Sequence, residues 1–402
     1  MIRIGWIMII GVAGCFPSRS AELACDITDD CDGGRTCENG FCVLGTSDAG
    51  PEQPDADENF DCTPLNGRHF VGCEIPQPSA ELTLPAGVST FNTDSGTFTT
   101  GGVTGVATGD VASGKLISVK KLTIPPGATL RVIGAKPMIV ASWSTIDVGG
   151  VIDASSTATE AGGGSNLATS CDAARAAKPG GNNGSGAGAG GGGGFGDAGG
   201  RGGGGNGQNS GGAGGLAQTA APLLSGGCNG ASGGNGQGTS AGPGGLGGGA
   251  IQLTALESIT VNGTIHAGGG GGKGALGTDG GGGGGGAGGM IGLESTTITL
   301  VGTTTLAANG GGGGGGSGGG AAGSGGNGKP SSAFADFGVG AGGEDGGFGA
   351  AGPERIGEDG FDDPAHGGGA GGGGVGFIIV AATNAPTMVG TISPNATIIA
   401  RP

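Results

Sequence analysis

The side chains able to do chemistry in this 402-residue sequence are few: nine cysteines, three histidines, and 32 carboxylates set against 16 basic groups. His69, His266 and His366 lie far apart, and no serine sits in a Gly-x-Ser-x-Gly element between a strand and a helix, so a hydrolase triad lacks support. Gly-x-Gly-x-x-Gly matches recur throughout the glycine tracts without opening a helix, and a Gly-Lys-Ser/Thr element is absent, which argues against nucleotide binding. The densest carboxylate group is Glu354, Glu358, Asp359, Asp362 and Asp363. It offers oxygen ligands for loose calcium binding, but its spacing matches no calcium loop, and a solvated acidic stretch is the expectation. No cofactor and no defined metal site follow. A net charge of −16 disfavours nucleic acid and anionic lipid surfaces as partners.

The cysteines carry more information. Met1-Ile2-Arg3 and the apolar run Ile4 to Gly11 read as a signal peptide over 1–14, too short to span a bilayer. The run ends in Val12-Ala13-Gly14-Cys15, which resembles the bacterial lipobox; the resemblance implies that Cys15 becomes the lipidated first residue of a membrane-anchored protein. Phe16 rather than Asp follows, which by the same resemblance favours the outer membrane. Without Cys15, an even set of eight remains: Cys25, Cys31, Cys37, Cys42, Cys62, Cys73, Cys171 and Cys228. In an exported protein these are expected to form disulfides.

The first four lie in a polar module, 15–44, too small for a core of its own, and three connectivities stay open there. Their spacing lacks the Cys-x2-Cys pairs usual in zinc sites. The module resembles the small cysteine-rich segments that follow the lipobox in many bacterial surface lipoproteins. Cys62 with Cys73, in a loop over 62–80, and Cys171 with Cys228 are the other expected pairs. Between module and loop, residues 45–61 are acidic and Pro-bearing, the composition of a linker.

What must position these groups is a body over 81–402. Only 14 of the 402 residues are aromatic, so its core has to rest on Ile, Leu, Val and Ala. Aliphatic phrases recur: Met138 to Ala154, Ala250 to Ala267, Met290 to Ala307, and a degraded copy from Gly376 interrupted by Pro386. Inside them apolar residues alternate, as in Ile251, Leu253, Ile259, Val261 and Ile265, the period of strands. Stacked copies predict an all-β, right-handed parallel β-helix with Ile146, Ile259 and Ile298 one above another; the rival is an antiparallel sandwich.

Glycine makes up 111 residues, about 28% against a usual 7%, and 90 of these follow residue 160. It comes in runs such as Gly280 to Gly286, not in the collagen pattern. The tracts, at 162–249, 268–289 and 310–376, read as insertions leaving one flank of the solenoid. Solvated coils and packed three-residue-per-turn helices are both open to them. Partial packing near the scaffold with mobile tips is the expectation, since Phe195, Phe334, Phe337, Phe348 and Phe361 would be odd in solvated chain.

In its Gly-Gly-Ala and Gly-Gly-Asn phrasing this half resembles the PGRS-type glycine-rich bacterial surface proteins, without the helical N-terminal domain of that family. It is similar, more closely, to glycine-rich lipoproteins of Gram-negative bacteria. The resemblance implies an architecture rather than an activity; the anchor, linker, solenoid and co-emergent tracts lead to the expectation of a lipid-anchored, non-enzymatic protein of the cell envelope, exposed on the outer membrane, with an adhesive or envelope-structural role. Its partners would be the membrane, through the lipid, and surface glycans or other cell-surface components. Two alternatives are a carbohydrate-active β-helix enzyme using Asp153 and His266, and ice or surface binding by Thr296, Thr297, Thr299, Thr303, Thr304 and Thr305.

Overall fold

The computed structural model describes residues 35–38, 41–44, 61–78, 80–206, 211–218, 223–238 and 240–401. The chain divides into two compact units, Met1–Asp61 and Cys62–Pro402. In the first, β1 (Arg35–Glu38) and β2 (Phe41–Leu44) form an antiparallel pair that sets Cys37 opposite Cys42. The signal peptide, Cys15, Cys25, Cys31 and nearly all of the linker lie outside the described residues.

The second unit carries three largely parallel sheets. One, of seven strands, runs β22 (Thr397–Ala400), β19 (Phe377–Ala382), β16 (Met290–Ser295), β13 (Ala250–Ala255), β10 (Met138–Ser142), β7 (Gly114–Val119), β6 (Ala107–Val111). The second, of six, runs β20 (Thr387–Met388), β17 (Thr297–Leu300), β14 (Ser258–Val261), β11 (Thr145–Val148), β8 (Leu122–Ile124), β3 (Leu82–Thr83). The third, of seven, runs β21 (Thr391–Ser393), β18 (Thr305–Ala307), β15 (Thr264–His266), β12 (Val151–Asp153), β9 (Ala128–Ile133), β4 (Gly87–Asn92), β5 (Thr97–Phe98). Parallel register pairs Ile146 with Ile259 and Ile259 with Ile298. The inward columns of the three sheets, including Leu122, Val148, Ile152, Ile265, Leu293 and Val380, form one aliphatic core.

The alternation predicted in the sequence appears as buried and half-buried residues in turn in β11, β14 and β17. In contrast β10, β13 and β16 are buried on both faces. Their outer faces, Ile139, Ala250 and Met290 among them, pack against Leu65, Phe70, Phe195 and Leu224 in a second apolar cluster. Leu65 and Phe70 belong to the 62–80 loop, which is therefore part of this unit's core.

The expected right-handed β-helix solenoid needs correction. The arrangement is nearly all-β with three largely parallel sheets; β5 and β6, at one end of the third and first sheets, pair antiparallel. The sheet order does not establish a right-handed solenoid, and most of the glycine-rich half lies outside any strand. The described residues of its tracts pack into a second kind of body; 207–210, 219–222 and 239 lie outside the described residues, and with them part of the expected tips.

In that body each residue of an extended segment points its N–H at a different neighbour and returns to the same one three residues later, the signature of three residues per turn. For 187–194, Ala187, Gly190 and Gly193 donate to Asp279, Gly282 and Gly285; Gly188 and Gly191 to Gly181 and Lys178; Ala189 and Gly192 to Gly203 and Gly200. Its carbonyls accept from three further segments, through Gly212 and Gly215, Ala231 and Gly234, and Gly368, Gly371 and Gly374. Six neighbours enclose it. Segments 280–289, 310–316 and 367–376 are enclosed by the same scheme, with bonds of 2.7 to 3.2 Å.

Glycine is required here by contact rather than by dihedral angle. A Cβ on Gly284 would stand 2.0 Å from the Gly191 oxygen, and one on Gly285 2.0 Å from the Gly311 oxygen. Cα–H groups meet carbonyls where side chains would be. Enclosed segments are accordingly glycine runs, whereas outer ones carry their larger side chains mostly outward. Gly357, Gly360 and Asp363 are buried in register while Glu358, Asp359, Phe361 and Asp362 face solvent.

Candidate functional site

Asp153 and His266 are register partners on β12 and β15, with Arg131 of β9 one strand further on. They form a closed ladder. Asp153 Oδ1 accepts the Ser155 N–H at 2.9 Å and the Ser155 hydroxyl at 2.6 Å, and lies 3.8 Å from His266 Nδ1. Arg131 Nη1 reaches Asp153 Oδ2 at 3.4 Å and donates to the Ser155 carbonyl at 2.7 Å; Nη2 is 3.4 Å from Glu160. His266 Nε2 is buried beside Gly268 and Gly328. Burial lowers the His266 pKa, against the opposing charge of Asp153. The side chains of Arg131, Asp153 and His266 are about 13%, 29% and 11% exposed, so the ladder seals the junction between sheet and tract and leaves little surface for a substrate.

The threonines divide between positions. Thr297 and Thr299 stand on the second sheet, in columns with Thr145 and Ser258 and with Thr83, Thr123, Asp147, Thr260 and Thr387. Thr305 belongs to the third sheet, beside Thr264 and Thr391. Thr296 and Thr303 donate to the Leu256 and Asn262 carbonyls at 2.9 and 3.0 Å, and Thr304 is buried on the Val261 and Val301 carbonyls. The six threonines therefore do not form one flat array.

Two cystines lie within the second unit. Cys62 is bonded to Cys73 with Cα atoms 4.8 Å apart, and Cys171 to Cys228 with Cα atoms 5.4 Å apart. The second ties the 165–178 loop to a segment whose Cys228 carbonyl accepts the Ala287 N–H.

The carboxylates proposed as loose calcium ligands are spent largely on backbone donors. Glu358 accepts from Phe348 N–H at 2.9 Å, Asp359 from Arg201 N–H at 2.6 Å, and Asp362 from Gly204 N–H at 2.6 Å and the Arg201 guanidinium at 3.1 Å. Asp363 caps the Ala365 and His366 N–H groups. No group of three or more metal-ligating side chains gathers among the described residues.

Other features were not read from the sequence. Glu294 on β16 is fully buried; its Oε2 accepts from the Arg68 N–H at 3.0 Å and Gln252 Nε2 at 3.3 Å, and Arg401 Nε lies 3.9 Å from its Oε1. Burial raises its pKa. This carboxylate joins the 62–80 loop and the end of the described chain to the first sheet. The loop's His69 is lowered to about 4, by burial first and then by the Arg68 charge.

On the array's outer side, segments 335–340, 345–350 and 356–362 lie side by side. Among them opens a groove of about 310 Å³ lined by Phe334, Phe348, Ala350, Glu354, Ile356 and Glu358. Phe337 packs edge-on against Phe348 at 4.8 Å and Phe334 lies 6.3 Å from it. Phe195, by contrast, is completely buried, edge-on to Phe377 at 5.1 Å. Phe195 thus packs inside the second apolar cluster, whereas Phe334 and Phe361 stay exposed.

No family model, curated protein or solved structure matches the chain.

Proposed function

We propose that this chain is a lipid-anchored, non-enzymatic protein of the cell envelope whose glycine array serves as a stiff display element with an adhesive role. The observation that carries this reading is the array itself. Its interior is largely backbone hydrogen bonds and Cα–H groups packed on carbonyls, so many of its larger side chains are left for the surface. Many of those are acidic or apolar, as at Glu358, Ile356 and Phe361. The resemblance of Val12 to Cys15 to a lipobox supports the anchor and the outer-membrane location. Asp153 and His266, committed to their ladder, lend no support to the carbohydrate-active alternative.

The test compares cells carrying the full chain with cells carrying Cys15→Ala and with cells lacking it. The proposal expects fatty-acid labelling that depends on Cys15, and surface attachment that falls both without the chain and in the variant. Labelling that persists in Cys15→Ala, or attachment unchanged in the strain lacking the chain, would overturn it. The threonine columns of the second sheet favour a second reading, binding to a regular surface such as ice. Thermal hysteresis of the purified protein, lost in Thr260→Lys, would support that reading.

A further inference from the structure

The face built by segments 335–340, 345–350 and 356–362 combines two characters. Phe334, Val339, Ile356 and Phe361 are 40%, 61%, 61% and 52% exposed, four large apolar groups on one face; Leu216, Leu223 and Leu276 are exposed elsewhere in the array. Eight of the residues from 334 to 363 are Asp or Glu and one, Arg355, is basic. That arginine is already engaged, its Nε 3.2 Å from Asp197 Oδ2, and Lys329 and Arg201 from neighbouring segments pair with Asp336 and Asp362, so the acidic excess rests on the other six carboxylates. The face is therefore strongly acidic and apolar at once, and its groove sets both characters together: Phe334, Phe348 and Ile356 form walls, with Glu354 and Glu358 in the lining.

We propose that this groove binds a basic amphipathic polypeptide segment. A Lys or Arg side chain would lay its apolar stem on the phenylalanine walls and present its charge to Glu354 and Glu358. Charge complementarity selects the occupant. A neutral apolar ligand would leave two carboxylates desolvated, and an anionic lipid surface would be repelled. Phenylalanine faces favour a cation over a second anion, and long basic side chains are suited to apolar walls with a charged rim. The groove's backbone supports it: the Phe348 N–H holds Glu358 at 2.9 Å, and both segments are bonded into the array, so the site is largely preformed. This inference rests on the adhesive reading and gives it a partner chemistry.

The experiment titrates the full chain in detergent with a fluorescent decapeptide of alternating Lys and Leu, and in parallel with tetralysine and with the Glu/Leu counterpart. The expected result is saturable binding of the Lys/Leu peptide only. It should weaken roughly tenfold both in Glu354→Gln/Glu358→Gln and in Phe334→Ser/Ile356→Ser, variants whose exposed positions leave the thermal transition in place. Equal binding of tetralysine, or unchanged binding in either double variant, would overturn the proposal. Displacement of the peptide by calcium alone would also overturn it, in favour of a metal site. Cell attachment unchanged in variants that have lost peptide binding would refute a role for the groove in adhesion. Attachment that is absent from the unaltered strain too would refute the adhesive reading itself.

Discussion

The sheets and the glycine array are two solutions to one problem within the same unit. Both stack extended chain and satisfy backbone groups between neighbours. The sheets bond each inner strand to two neighbours and leave two faces for side chains; one becomes an aliphatic core. In the array an enclosed segment bonds to six neighbours and has no face left, so, apart from the buried Val375 near the end of 367–376, nothing larger than a hydrogen or an occasional methyl fits. Sheet stability comes largely from the hydrophobic effect. Array stability has to come from hydrogen bonds and close packing, set against the high conformational entropy of glycine. The two meet in register: Ala154, Ala267 and Ala308 leave the third sheet, and Ala250, Met290 and Phe377 re-enter the first on N–H bonds to Gly163, Gly249 and Gly289.

The difference predicts opposite tolerances. Extended glycine backbone suits alanine and valine conformationally, so only crowding forbids them in the array. Gly284→Val, aimed at a carbonyl 2.0 Å from its Cβ, should cost about 3 kcal/mol or more and uncouple array from sheets. Chemical denaturation followed separately by Phe and by Trp would show it. In the sheets the reverse change is the harmful one: Ile259→Ala, at a fully buried position, should cost about 2–5 kcal/mol and lower the midpoint of a single transition.

Cys171→Ala/Cys228→Ala should cost about 2–4 kcal/mol, because the pair closes a loop of 57 positions that the array otherwise orders alone. The effect should appear in urea midpoints with and without reductant.

A smaller effect comes from pH. His69 and His266 are held neutral by burial, so the unfolded chain takes up protons first as pH falls below the ordinary value of 6.5. Their contribution is complete above that value and is lost on the way down, to about 4 for His69. Glu294 works in the opposite sense: its raised pKa favours the protonated fold, so its cost enters as pH rises above 4.5. Urea midpoints should fall between pH 7 and 5, less so in His266→Gln. Smallest of all, Gly184→Ala, with nothing within 4 Å of its Cβ, should change stability by less than about 0.5 kcal/mol.

The strands were legible because their information is local: alternating aliphatics identify the inward face, and the spacing of Ile146, Ile259 and Ile298 anticipates their pairing. The array was not, although its period is present. Gly211-Gly212-Ala213-Gly214-Gly215-Leu216 repeats every three residues, with the outward side chain at the third. Unbroken runs elsewhere hide that period, and the reason for each glycine is a carbonyl often scores of positions away, as Gly191 is from Gly284. The groove escaped notice for the same cause, since Phe334, Phe348 and Ile356 come together only through segment packing. Glu294 reads as an ordinary strand carboxylate, and nothing near it in sequence announces Arg68 or Arg401.

Whether the glycine segments are enclosed as firmly as the strands is decided by amide hydrogen exchange across 280–289 compared with 258–266. With bonds on all sides, the amides of Gly281 to Gly288 should be protected as strongly as those of Ile259 and Val261. Exchange of Gly281 to Gly288 at the rate of unstructured chain, while Ile259 and Val261 stay protected, would contradict it.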